Sequence, residues 1–516
     1  MPEFQDYFVK MRIAALLSLA SCTMVWAQQQ DSLATNWEQL QRNYLDQSVL
    51  KRQQAGVNAV LRHSDSTAEV STVELLYATQ RKTLFDPQQG KGLQHYGLAV
   101  HSFRRLDRWS SIWGAGRYGN QRSKAVRWNE TSDLSWVYPY VLADSVGGDQ
   151  NNEFYHFAGG YNREVGKQTF SVSGAYTAAL LYRSVDPRTH NTSSDLTLSV
   201  GMSRPVGRYR LALHYDYRYY TQNNTVSIAS PISAPAFFHL IGMGVDQKLF
   251  WGKNSETYYI GHMNGIGLQW QPIADKGLYG SLVAQRFYID KSITNLRSLP
   301  VSEAHTRSVQ GQLGYVGSSG KFTWIPQLSG GHYERSGRSY LFDNPTGSNY
   351  VKIGELQDFS HRVYQAAVGI TVSYPLRSGW RWRVNPTLDM TMDKLSYNPQ
   401  QRTMQWEKIS YGFTTGLMRQ RTMRSLWDVD LGLQRSDFLH ADLTMPQALA
   451  TAGLTTLIQE QFNYYSAAHS RYALRGSYYF PVSKRLIGKV GAEMAVVHFD
   501  QGQYNARGSL RLGIVL

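Results

Sequence analysis

A chain of 516 residues has room for several soluble domains or for one large barrel. Cys22 is the only cysteine, which excludes a disulfide framework and a thiolate metal site. The formal charge is +15 (53 Lys and Arg against 38 Asp and Glu), but the cations are scattered instead of gathered into the patch that nucleic acid requires. Mean hydropathy is −0.40, the value of a soluble protein. A transmembrane barrel has the same average, because alternate residues of each strand face water. Outside residues 13–27 no apolar run is long enough for a membrane helix.

The first ten residues read as an upstream extension. From Lys10 and Arg12 a secretory signal follows, with the apolar run Ile13 to Trp26 and small residues at the cleavage positions Val25 and Ala27. Residues 1–27 are therefore expected to be removed. Leu19-Ala20-Ser21-Cys22 offers a second route, lipidation at Cys22, but Thr23 to Trp26 continue the apolar run where a lipoprotein turns polar. Residues 28–65 are polar and helix-prone, with Leu33, Trp37, Leu40, Tyr44 and Leu50 near helical spacing. They suit a short periplasmic or plug segment at the barrel mouth.

Residues 66–516 alternate between strand patterns and turns. Strands are expected at 68–79, 92–105, 109–127, 153–163, 168–182, 195–204, 209–222, 257–271 and 278–290. They continue at 305–316, 321–336, 362–374, 381–395, 404–419, 425–436, 470–481, 486–499 and 504–516. Short turns such as Val165-Gly166-Lys167, Pro205-Val206-Gly207, Ser318-Ser319-Gly320 and Arg377-Ser378-Gly379 alternate with long connections, among them 223–256, 337–361 and 437–468. Asp186-Pro187 marks another long connection, and Met445 to Ala450 reads as a short helix able to cap the outer mouth.

Within the strands one face is apolar and the other polar. In 195–204 Leu196, Leu198, Val200 and Met202 oppose Thr197, Ser199, Gly201 and Ser203. In 381–393 Trp382, Val384, Leu388, Met390 and Met392 oppose Arg381, Arg383, Asn385, Thr387, Asp389 and Asp393. Trp109, Trp270, Trp380, Trp427 and Phe480 fall near strand ends on the short-turn side, as an interfacial girdle does. The last strand alternates Leu510, Leu512, Ile514 and Leu516 with Ser509, Arg511 and Gly513 and runs to the final residue. Pairing it with the first strand would remove the open edge.

The fold expected is all-β: a transmembrane antiparallel up-and-down β-barrel of about 18 strands (16–18), preceded by a short N-terminal helical segment. This layout resembles an uncharacterised family of Gram-negative outer-membrane β-barrel proteins with a short N-terminal segment. The resemblance implies export to the cell outer membrane, with both termini periplasmic. Outer-membrane lipid and lipopolysaccharide are the expected surroundings, with small solutes or other outer-membrane proteins as partners.

Candidate chemistry is sparse. Gly114, Gly116 and Gly119 match a dinucleotide fingerprint but lie inside a strand, where that motif has no phosphate-binding helix. Asp428 and Asp430 share a strand face, better suited to pairing with Arg than to binding a cation alone. His95, His101 and His214 point inward, with no nucleophile or zinc motif beside them. No enzyme activity, cofactor or metal is expected; an outer-membrane barrel enzyme that pairs such a His with a lumen or rim Ser is the third reading. The inward set Arg210, His214, Asp216, Arg218, Arg381, Arg383, Asp389, Asp428, Asp430, Arg471, Arg475, Glu493 and Arg511 is expected to line the lumen. The arginines are compatible with two interiors: one that selects small anionic solutes for passive uptake or binding, or a salt-bridged, closed lumen serving as a partner of another outer-membrane complex.

Overall fold

The computed structural model describes residues 60–61, 70–230, 236–250, 256–343, 350–421, 425–446, 452–483 and 486–516. The expected signal, nearly all of segment 28–65 and positions 447–450 of the expected capping helix lie outside the described residues.

Eighteen strands close into one antiparallel barrel. They are β1 (Val70–Lys82), β2 (Gly92–Arg105), β3 (Ser110–Val126), β4 (Gly148–Val165), β5 (Gln168–Tyr182) and β6 (Arg188–Val206). Next come β7 (Tyr209–Ser227), β8 (Glu256–Pro272), β9 (Gly277–Ile293), β10 (Leu299–Ser319), β11 (Phe322–Phe342) and β12 (Lys352–Pro375). The last six are β13 (Trp380–Tyr397), β14 (Arg402–Arg421), β15 (Ser425–Thr444), β16 (His469–Pro481), β17 (Ile487–Phe499) and β18 (Tyr504–Val515). All the strands expected from the sequence are present in that order. Closure occurs where the terminal alternation points: β18 pairs with β1, Leu512 opposite Leu75 and Leu510 opposite Tyr77.

Turn chemistry fixes one end. Gly166 and Gly207 hold φ of 63° and 58° in two-residue connections, a left-handed conformation that a side chain disfavours. At the other end the strands outrun expectation. The segment expected at 362–374 is Lys352–Pro375, and that at 305–316 is Leu299–Ser319. The supposed long loop 337–361 is thus mostly paired strand, and the one at Asp186-Pro187 is only the short link between β5 and β6. A strand needs about 9–11 residues to cross a bilayer. Beyond that length the outer face no longer meets lipid, alternation fades, and the pattern that marks a strand is lost.

The outer face carries a continuous apolar belt. Leu198, Val200, Leu313, Leu328, Val368, Leu388, Leu431 and Leu510 are all exposed there. Near its middle Leu474 is 53% exposed, between Leu431 on one side and Met494 on the other. Leu474→Arg is expected to destabilise the barrel by about 2–4 kcal/mol in vesicles, and inward Ser477→Arg by less than about 1 kcal/mol. Denaturant unfolding in lipid measures both.

Two helices lie among the described residues, α1 (Leu134–Val137) and α2 (Ala452–Tyr465). A small three-stranded sheet joins Leu142–Asp144, Phe237–Gly242 and Val245–Asp246. These pieces come from the connections β3–β4, β7–β8 and β15–β16.

Candidate functional site

The long connections fold into the barrel and build a hydrophobic core there. Trp128, Val137, Tyr140, Val141, Phe238, Leu240 and Met243 from the loops pack with Leu454, Leu457 and Ile458 of α2. They meet Tyr220, Tyr259, Met263, Phe287, Ile289, Tyr397, Met404 and Trp406, which stand on the inward phase of the strands. Each fully buried apolar side chain contributes about 1.5–3 kcal/mol, so together they hold the segments in place as a lid at the long-loop end. Leu454, Leu457, Ile458 and Tyr465 give α2 its packed face at helical spacing.

Polar contacts fix the lid's position. The Tyr465 hydroxyl donates to Asp86 at 2.7 Å, and the Gln461 amide to Asp86 and Gln88 at 3.0 and 2.9 Å. The Trp406 ring stacks on Tyr465 at 5.4 Å. Arg335 donates to the carbonyls of Ser135 (3.0 Å) and Trp136, and Tyr259 to that of Tyr140 at 2.6 Å. Arg218 reaches the lid as well: its guanidinium lies 4.5 Å from the Trp136 ring centre while it pairs with Asp195 at 2.7 Å.

The most deeply buried charges in the lid are Arg183, Glu130 and Asp144, each with a side chain no more than 1% exposed. Arg183 donates to Glu130 at 2.7 Å, to Asp144 at 2.8 Å and to the Pro187 carbonyl at 2.5 Å. One guanidinium cannot neutralise two carboxylates. Burial and then the neighbouring Asp144 push the Glu130 carboxyl well above its usual range. For Asp144 burial acts upward but is outweighed by hydrogen bonding to Glu130, the Arg183 guanidinium and the Gly147 N–H, which hold its carboxyl below the usual range. Of the two carboxyls, Glu130 therefore holds a proton more tightly than Asp144.

Beneath the lid the expected lumen residues divide between two walls. Arg210, His214, Asp216 and Arg218 stand on β7, with His214 buried 3.5 Å from Asp216. Val60 and Leu61 pack against Ala212 on this wall. The other wall brings residues together in one cross-strand row: Arg383 opposite Gly416, Gly416 opposite Asp430, Asp430 opposite Arg475, and Arg475 opposite Glu493. Gly416 lets Arg383 reach across it, since a Cβ there would lie 2.1 Å from the Asp430 carboxylate. Arg383 donates to Asp430 at 3.0 Å and to Asp428 at 2.5 Å, and Arg475 to Asp430 at 3.2 Å.

Beside this network the wall is hollowed into a cavity of about 260 Å³, lined by Thr387, Thr414, Gln434, Arg471, Arg475 and Glu493 together with Asp430. Small inward residues, Gly432 and Ala473, make the room. Asp389 accepts from Gln434 at 3.4 Å at its edge. Arg218, Arg383 and Arg475 are thus ion-paired. Among the described residues no carboxylate lies within 4.0 Å of Arg210, Arg471 or Arg511, and of these only Arg471 lines the cavity. Arg381 sits at the short-turn end of β13 and Arg511 near that of β18.

His95 and His101 lie on β2 and His214 on β7, with four strands between, so the structure does not gather them. Gly114, Gly116 and Gly119 lie inside β3, as expected. Of the lid, the sequence suggested only a capping helix at Met445 to Ala450, where α2 follows at Ala452–Tyr465; its other segments were missed, although the apolar run Phe237 to Met243 inside a supposed loop was a signal for them.

Several solved structures are similar to this chain. The ferric preacinetobactin receptor BauA from Acinetobacter baumannii is 6% identical, with a TM-score of 0.42 over 86% of this chain and 80% of that one. The outer membrane transporter YddB from Escherichia coli is 7% identical, with a TM-score of 0.39 over 86% and 80%. The siderophore receptor PirA from Pseudomonas aeruginosa is 8% identical, with a TM-score of 0.36 over 86% and 80%. No curated protein matches the chain. The pattern of DUF6850, a family of unknown function, matches residues 58–516, and the chain belongs to that family.

Proposed function

We propose that this protein is an outer-membrane barrel that binds small anionic solutes at its lumen wall and takes them up only when the loops that close its outer end give way. It is a transport or binding protein on this reading, not an enzyme. The closed barrel and its apolar belt support the membrane placement. The expected signal supports export, with both termini periplasmic. The observation that carries the solute class is Arg471, a cation at the wall of a 260 Å³ cavity with no carboxylate within 4.0 Å among the described residues. Arg475 adjoins it, with one guanidinium edge turned to Asp430. A cavity of this size suits a small carboxylate or phosphate monoester, since drug-sized ligands fill about 300–1,000 Å³.

Titration calorimetry of the folded barrel with a small dicarboxylate and a phosphate monoester tests the assignment. Arg471→Gln is expected to weaken binding about tenfold, the worth of one charge-assisted contact. Unchanged affinity in that variant, or no binding to the wild-type barrel, would count against it. The folded lid also favours a second reading, a permanently closed barrel that serves another outer-membrane complex. A partner co-purifying in stoichiometric amount, with no solute bound, would support that reading instead.

A further inference from the structure

Charges on the outer face of a barrel are costly inside the apolar belt and tolerated at its edge. Strand register here aligns such charges into one row. Arg286 of β9 stands opposite Arg307 of β10, Arg307 opposite Glu334 of β11, Glu334 opposite Arg362 of β12, and Arg362 opposite Lys394 of β13. All five share the outward phase with the exposed Leu282, Val309, Leu328, Tyr364 and Met392. The four cations are exposed.

The row marks a boundary. One step toward the short turns the same strands present Ala284, Val309, His332, Tyr364 and Met392, the top of the apolar belt. One step the other way come Tyr288, His305 and Ser336, with the Tyr288 and His305 rings in edge contact at 4.7 Å. Four cations face one anion, and only Arg362 is neutralised, by Glu334 at 3.1 Å. Among the described residues no carboxylate lies within 4.0 Å of Arg286, Arg307 or Lys394. Arg286 directly opposite Arg307 is a like-charge cross-strand pair, unfavourable unless a counter-ion bridges it.

We propose that this row binds the phosphorylated headgroup of an outer-leaflet glycolipid, with its acyl chains on the apolar belt beneath. Guanidinium groups present paired donors that match phosphate oxygens. The five strands span roughly 19 Å at the usual strand spacing, enough for a headgroup carrying two phosphates. The adjoining apolar wall favours a lipid over free phosphate, because only a lipid fills both surfaces. The assignment rests on the outer-membrane placement and on the long-loop end facing outward.

The test uses the full chain folded in non-ionic detergent and native mass spectrometry with bisphosphorylated lipid A. Dephosphorylated lipid A, phosphatidylcholine and inorganic phosphate are the comparators. The wild-type barrel is expected to retain the bisphosphorylated lipid. Arg286→Gln, Arg307→Gln, Arg362→Gln and Lys394→Gln combined are expected to lower retention at least about tenfold. Arg204→Gln, at the short-turn end of β6, is expected to leave it unchanged. Arg286→Gln with Arg307→Gln alone removes the like-charge pair, so thermal unfolding without lipid is expected at the wild-type temperature or higher. Equal retention by the fourfold variant, or of dephosphorylated lipid by the wild type, would overturn the assignment. So would displacement of the lipid by inorganic phosphate, which would assign the row to the free anion. Protease protection in vesicles scores membrane insertion separately, so failure of the placement and failure of the lipid site are read apart.

Discussion

Arg183→Met is expected to release residues 127–147 from the barrel mouth while the 18-stranded wall stays folded. Among the described residues the side chain that leaves is the only cation paired with Glu130 and Asp144, both fully buried. Removing one partner of a buried ion pair costs about 3–5 kcal/mol, because the remaining charge has no solvent to turn to. Hydrogen exchange read by mass spectrometry should show peptides from 127–147 losing protection, with those of β7 and β13 unchanged. Full protection in the variant would mean that the lid does not depend on this pair.

Glu130 gives the same lid a pH dependence with a defined sign. Its carboxyl is raised when folded, by burial and then by Asp144, from an ordinary value of 4.5. Below that value both forms hold the proton. As pH rises toward the raised value the unfolded loop releases it and the folded one does not, so the lid loses up to about 1.4 kcal/mol per pH unit. Asp144, depressed when folded, acts in the opposite sense: its contribution is present above its ordinary 3.8 and fades as pH falls through the depressed value. Lid protection is therefore expected to decline over the interval above Glu130's ordinary value. Glu130→Gln keeps an acceptor for Arg183 and removes the titrating proton, so the decline should flatten. A wild-type profile that rises over this interval would contradict the raised value of Glu130.

The barrel was legible because a bilayer imposes strict alternation wherever a strand crosses it. The terminal residues Leu510, Leu512 and Ile514 follow that rule and do face outward beside Leu75 and Tyr77. Where strands rise past the lipid, as in 352–361 of β12, the constraint ends and so does the signal. The lid was foreseen only as a capping helix in the 437–468 connection. Its segments are far apart in sequence and acquire meaning only when the barrel gathers them. Yet Phe237 to Met243, and Leu454 with Leu457 and Ile458, carried apolar spacing that a surface loop has no use for. At the lumen wall the inward phase could be read, but not which Arg meets which Asp. Arg383 reaches Asp430 because Gly416 lies between them, and that depends on the register of three strands. The outer basic row is hidden for the same reason, since its five members come from five strands.

Replacing the stretch 446–467 by a short Gly-Ser linker removes α2 and with it Leu454, Leu457, Ile458, Gln461 and Tyr465. At about 1.5–3 kcal/mol for each buried apolar side chain, the lid core loses the larger part of what holds it over the lumen. The side chains left behind, Trp406 and Met404 on β14, become part of a wetted wall. The strands themselves are closed by their own ladder and are expected to persist.

Single-channel recording in planar bilayers tests most directly whether these loops close the barrel. The wild-type protein is expected to pass no steady current, and the linker variant to open a stable conductance. Steady current through the wild-type barrel would show that the loops do not seal it, and a silent but folded linker variant would show that something other than α2 and its core closes the lumen.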